Sequence, residues 1–190
     1  MVKLQDSKQL YFIAIIPPLT IQDEVIALKN EMSQKYNSRH ALKSPPHITL
    51  LMPFKWKEEK ESIIEDFLKT FALPRSPFNI RLNGFGAFPK RVIFLDVEKN
   101  EQLYTLANDL LSAVRKELKI LVETYKNKGF TAHMTVAHRD LKPMAFEEAW
   151  KEFRDKPFDR EFLVNHISLL KHDGHQWRVY KDFKFENPNG

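Results

Sequence analysis

The strongest constraint on this chain is the order in which two hydrophobic periodicities take turns. LYFIAIIPP, residues 10–18, is β-branched and aromatic and stops at two prolines, which reads as a strand. The next stretch, TIQDEVIALKNEMSQKY, places Ile21, Val25, Leu28 and Met32 at helical intervals, and Thr20 and Asp23 have capping-box-like spacing. SPPHITLLMPF (Ser44 to Phe54) then reads as a strand, and Glu58 to Ala72 as an amphipathic helix facing inward through Ile63, Ile64, Phe67, Leu68 and Phe71. FNIRLNGFGAF reads as a strand with glycines.

The second half repeats that order. RVIFLDV is a strand; Asn100 caps a helix with Leu103, Ala107, Leu110, Val114 and Leu118 on its face. FTAHMTVAHRD is a strand, PMAFEEAWKEFRD a short helix with Pro143 in its first turn, REFLVNHISLLK a strand, and QWRVYKDFKF a closing edge. The order β-α-β-α-β followed by β-α-β-α-β-β predicts two pseudo-repeats, about 10–88 and about 91–185, forming two lobes of one compact unit spanning residues 1–190.

Composition removes several function classes. With no cysteine among 190 residues, disulfides, thiolate metal sites and cysteine nucleophiles are excluded. The net charge of +5 comes from interspersed signs, which suits a phosphate-bearing ligand better than a duplex-binding surface. The N-terminal MVKLQDSKQ is polar and the first apolar run is too short to span a bilayer, so a cytoplasmic protein without membrane contact is expected. No Gly-rich phosphate loop or G-x-S-x-G elbow is present.

The middle strand of each half carries the same polar insertion, HITL from His47 and HMTV from His133. Side chains alternate across a strand, so His47 and Thr49 share one face while Ile48 and Leu50 take the other, and His133 and Thr135 oppose Met134 and Val136. One such strand alone reads as packing, because threonine favours strands and a single imidazole is readily satisfied by a carbonyl. Two copies in matched elements point to chemistry instead. Two imidazoles with ordinary pKa near 6.5 supply one base and one acid at neutral pH, and two hydroxyls donate to phosphoryl oxygens without adding charge.

These paired His-x-Thr-x motifs, SPPHITLLMPF and TAHMTVAH, resemble those of the 2H phosphoesterase superfamily. GFGAFPKRVIF is also similar to the inter-lobe segment of its RNA 2′,3′-cyclic phosphodiesterase or 2′-5′ RNA ligase branch. The resemblance implies an α+β bilobal fold, with two mainly antiparallel sheets around a central cleft and helices outside. It implies metal- and cofactor-independent opening of 2′,3′-cyclic phosphates or cleavage of 2′-5′ phosphodiesters on RNA 3′ ends or small nucleotides. His47 and His133 would be acid and base, and Thr49 and Thr135 would hold the phosphate. The preferred assignment makes His133 the base and His47 the acid; pseudo-symmetry allows the reverse. Members of the branch often carry an arginine after the second motif, where this chain reads His138-Arg139.

Rival readings are a noncatalytic RNA-end or nucleotide-binding module with the same cleft, and a histidine-dependent metal hydrolase. No obligate protein partner is indicated. His172 and His175 flank a D-G turn, and His40 and His166 read as structural or exposed. Tyr11, Phe88, Trp177 and Tyr180 could stack on a base, although aromatics in strands are more often core.

Overall fold

The computed structural model describes residues 8–121 and 130–186. Residues 1–7, on which the reading of a polar N-terminus largely rests, lie outside the described residues. Among the described residues, eight strands form one antiparallel sheet in the order β6-β3-β4-β5-β2-β1-β7-β8. They are β1 (Lys8–Ile15), β2 (Ile48–Lys57), β3 (Phe78–Phe88), β4 (Val92–Val97), β5 (His133–Ala137), β6 (Asp159–Val164), β7 (His166–His172) and β8 (Trp177–Lys184). The described residues also form four α-helices, α1 (Leu19–Tyr36), α2 (Glu61–Ala72), α3 (Glu101–Ala113) and α4 (Pro143–Phe153), which makes the architecture α+β. The two expected sheets are thus halves of one, joined where β2 and β5 meet at Ile48 and Met134.

Most apolar side chains point to the face carrying the helices, where Tyr11, Ile13, Ile15, Ile48, Met134, Val136, Ile167 and Leu169 are buried with Val25, Leu68, Leu110 and Phe153. The opposite face of β1 is also covered: Phe12 and Ala14 pack with Leu170, Ile16 and Trp177. Burial of both faces explains why LYFIAII reads as a continuous apolar run without alternation.

One helix end and one position on a helix face depart from simple expectation. Helix α1 begins at Leu19 with Pro18 as its N-cap and no side-chain cap hydrogen bond, so Thr20 lies inside the helix and the capping box does not form. The two prolines fix the entry angle, and the Pro18 carbonyl receives the amides of Ile21 and Gln22 at 3.0 and 2.9 Å. In α2, Ile64, Phe67, Leu68 and Ala72 are buried while Ile63 is 49% exposed, correcting its expected inward placement. Asn100 does cap α3, its Oδ1 accepting from the Leu103 amide at 2.9 Å.

REFLVNHISLLK is two strands rather than one. The residues facing the helix-side core change phase, from Phe162 and Val164 to Ile167 and Leu169, and Asn165 marks the switch. Before it the chain pairs with β3, and after it with β1. Gly84, at φ +69°, occupies an irregularity in β3 and donates its amide to the Phe158 carbonyl at 2.7 Å.

Replacing Asn100 with Ala removes the acceptor for an otherwise unsatisfied first-turn amide and is expected to cost about 1 kcal/mol, measured by urea unfolding. A midpoint and slope identical to those of the parent chain would contradict the capping assignment.

Candidate active site

The strand order puts both polar motifs on the two central strands. With Ile48 opposite Met134 in an antiparallel pair, the register brings His47 beside Thr135 and Thr49 beside His133. Ile48, Leu50, Met134 and Val136 are fully buried, whereas His47, Thr49, His133 and Thr135 are half-buried on the opposite face. The four side chains singled out by the sequence therefore gather on one patch. Across the neighbouring strands, Ala14 pairs with Thr49, Phe94 with Thr135 and Asp96 with His133.

The two imidazoles are held in the same manner. His47 Nδ1 lies 2.7 Å from the Pro45 carbonyl, and His133 Nδ1 lies 2.8 Å from the Thr131 carbonyl, each two residues upstream. A carbonyl only accepts, so both Nδ1 atoms carry hydrogen and donate, leaving Nε2 as the basic atom of each neutral ring. Aromatic rings fix the remaining freedom. Phe12 packs on His47 at 4.9 Å between centroids, and Phe88 and Phe94 each pack on His133 at 5.1 Å.

Burial pushes His47 down to about 4; the Pro45 hydrogen bond opposes this, and Lys29, His133 and His138 reinforce it. His133 is also lowered, mainly by burial, but the Thr131 carbonyl and the Asp96 carboxylate work the other way. Both rings are thus neutral at physiological pH, and the carboxylate favours the imidazolium of His133 alone.

The remaining candidates separate. Phe88 stands beside His133, and Trp177 packs on Phe12 at 4.6 Å, one ring removed from His47. Tyr11 is fully buried toward the helices and donates to Glu61, and Tyr180 donates to Glu61 and Glu65, so neither joins the patch. His172 and His175 flank the β7–β8 turn, where Gly174 has φ +96°. His40 packs edge-on against His138 at 5.0 Å and pairs with Arg139 at 3.2 Å. His138 Nδ1 is buried with no hydrogen-bond partner, and burial lowers this ring to about 4. Among the described residues no three His, Asp or Glu side chains converge as a metal-binding group.

Among the residues missed from sequence, which include Asp96, Phe12 and Phe94, Lys29 stands apart. It is 2% exposed, and its Nζ donates to the Ser44 carbonyl at 2.9 Å. The signal was its position: Ile21, Val25, Lys29 and Met32 form one buried stripe of α1, so a lysine occupies a core register.

Two outcomes test this geometry. A Cβ on Gly86 would lie 2.3 Å from Phe94 Cε2, so Gly86→Ala must displace the ring that packs on His133; a loss of about 1–3 kcal/mol is expected, and an unchanged melting temperature contradicts the packing. The second concerns acid. The folded-state pKa of His138 lies below its ordinary 6.5, so the unfolded chain takes the proton first and stability falls as pH drops from 6.5 toward 4. His138→Leu should gain stability relative to the parent as pH falls through that window; parallel melting curves from pH 7.5 to 4.5 would contradict it.

Known proteins resemble this chain in sequence and in fold. The family model described as the 2′-5′ RNA ligase superfamily matches residues 17–176. A protein of Oceanobacillus iheyensis named "Putative phosphoesterase OB1230" is 31% identical over 176 residues, 91% of this chain and 96% of the relative. A Geobacillus kaustophilus protein of similar name is 30% identical, covering 91% and 94%. Among solved structures, TT0787 of Thermus thermophilus superposes with a TM-score of 0.69 at 21% identity, covering 95% of this chain and 100% of that one. E. coli LigT complexed with 3′-AMP gives 0.69 at 20% identity, covering 94% and 99%. No described helix is long and apolar enough to cross a membrane. The chain belongs to the 2′-5′ RNA ligase superfamily of 2H phosphoesterases.

Proposed function

We propose that this protein is a cytoplasmic phosphoesterase that opens 2′,3′-cyclic phosphates or cleaves 2′-5′ phosphodiesters on RNA ends or small nucleotides, using His47 and His133 for proton transfer. The observation carrying the proposal is that both Nδ1 atoms are committed to backbone carbonyls. Both Nε2 atoms are therefore basic, and they share a patch with two threonine hydroxyls. The relatives' phosphoesterase names support the reaction class. The crystallisation of the similarly folded LigT with 3′-AMP, NADP+ and ATP supports a nucleotide ligand. We further propose that residues 10–88 and 91–185 are a duplicated unit whose two middle strands supply the two halves of the site.

In the reaction, His133 Nε2 removes a proton from water as its oxygen attacks phosphorus. The bond from phosphorus to the ribose oxygen breaks, and that oxygen takes the proton from His47 Nε2. The product is a phosphomonoester, and the rings recover their starting protonation through solvent. Thr49 and Thr135 donate to the non-bridging oxygens where charge builds. This division follows relative basicity: Asp96 makes His133 the better acceptor, while burial and Lys29 make protonated His47 the stronger acid. The substrate's negative charge favours the protonated form that His47 needs.

The test is turnover of a nucleoside 2′,3′-cyclic phosphate in excess chelator. Activity should persist, and His47→Ala and His133→Ala should each lose about 10²–10⁴-fold. Binding without turnover would favour the noncatalytic module, and loss on chelation the metal hydrolase. A phosphodiester with a nitrophenol leaving group needs no acid, so it should rescue His47→Ala but not His133→Ala; the reverse rescue would exchange the roles. The base fails as pH falls through its pKa and the acid fails as pH rises through its own. Because burial lowers both, kcat/KM should trace a bell peaking below pH 6.5, and a flat profile from pH 4 to 8 contradicts the mechanism.

A further inference from the structure

Helix α1 carries a charge where its pattern calls for an apolar side chain. Ile21, Val25 and Met32 are buried on one stripe, and Lys29 lies on it with 2% exposure. Withdrawing an ammonium from water is costly unless a carboxylate compensates, and no carboxylate of the described residues pairs with this one. Its hydrogen bond is to the Ser44 carbonyl, at 2.9 Å.

That contact lies one residue from the site. The next carbonyl, Pro45, accepts from His47 Nδ1 at 2.7 Å. The ring of Pro45 fixes its φ and the following Pro46 restricts its ψ, so little torsional freedom separates the atom held by Lys29 from the atom that orients the imidazole. We propose that Lys29 is a positioning residue of the active site: through the Ser44 carbonyl it holds in place the Pro45 carbonyl that aims His47, and its charge acts on that ring. The proposal rests on the phosphodiesterase reading given above.

The charge has a defined direction of effect. The groups bearing on His47 are Lys29 from α1, His133 from β5 and His138 beyond β5; Lys29 opposes a positive charge on the ring, as the two other imidazoles do once protonated. His138 is in turn faced by His40, Arg139 and Lys29, with Asp140 the opposing carboxylate. Asp140 is occupied by the Ser38 hydroxyl and the Arg39 and His40 amides at 3.0, 2.8 and 2.9 Å. Burial lowers Lys29 to about 8, which leaves it mainly cationic at neutral pH. Removing its charge must therefore raise the pH at which His47 titrates.

Lys29→Met keeps the length of the side chain and removes both the donor and the charge. Because an unpaired buried cation is replaced by an apolar group, thermal stability at pH 7 should be unchanged or higher. The kcat for a cyclic nucleotide should nevertheless fall about tenfold or more with KM held within about twofold. The His47 midpoint, followed by imidazole NMR, should move to higher pH. Lys29→Arg restores donor and charge, and should recover kcat and the low midpoint. Parent-like kcat with an unmoved midpoint in Lys29→Met would overturn the proposal, as would a loss that only tracks a lowered melting temperature in both variants. The NMR midpoint is read without turnover. A parent protein inert toward cyclic phosphates would thus refute the phosphodiesterase reading while the Lys29 proposal is still judged.

Discussion

The site depends on the register of one strand pair at the centre of the sheet. With Ile48 opposite Met134, the apolar members of both strands enter the core and both histidines and both threonines emerge together. A slip of one residue in either strand would drive an imidazole and a hydroxyl into the helix-covered core. The same hydrophobic burial that stabilises the sheet therefore selects the register that assembles the site. Phe12 and Phe94, on the strands flanking the pair, are at once packing residues and the walls that orient the imidazoles.

The histidines are held in a way that keeps them reactive. Each spends its Nδ1 hydrogen on a nearby backbone carbonyl, which fixes the ring without neutralising Nε2. Their surroundings are unequal: Asp96 beside His133, Lys29 and His138 bearing on His47. Two similar side chains thereby acquire different proton affinities, which is what an acid and base sharing one phosphate require.

Much of this was legible in the sequence because alternation and repetition are both local signals. His47 and Thr49 could be placed on one face from strand geometry alone, and the second copy at His133 and Thr135 made chemistry, rather than packing, the reading to expect. The break at Asn165 was less visible, because two apolar strands separated by one residue look like one; only the change from even to odd positions among the residues facing the helix-side core marks it. The capping box failed because Pro17 and Pro18 fix the chain before Thr20 can act as a cap. Lys29 was hidden by its type: lysine is ordinarily read as solvated, although its position in the Ile21–Val25–Met32 stripe was a core position. Which aromatic rings border the histidines required knowing strand neighbours, and that is a property of the sheet order.

If His47 and His133 act on one shared phosphoryl group, inorganic phosphate titrated into the protein must reach both imidazoles, whose resonances can be followed separately. The expected result is that both rings shift together with a single dissociation constant and one phosphate per chain. A response from one ring alone, or two independent constants, would contradict it.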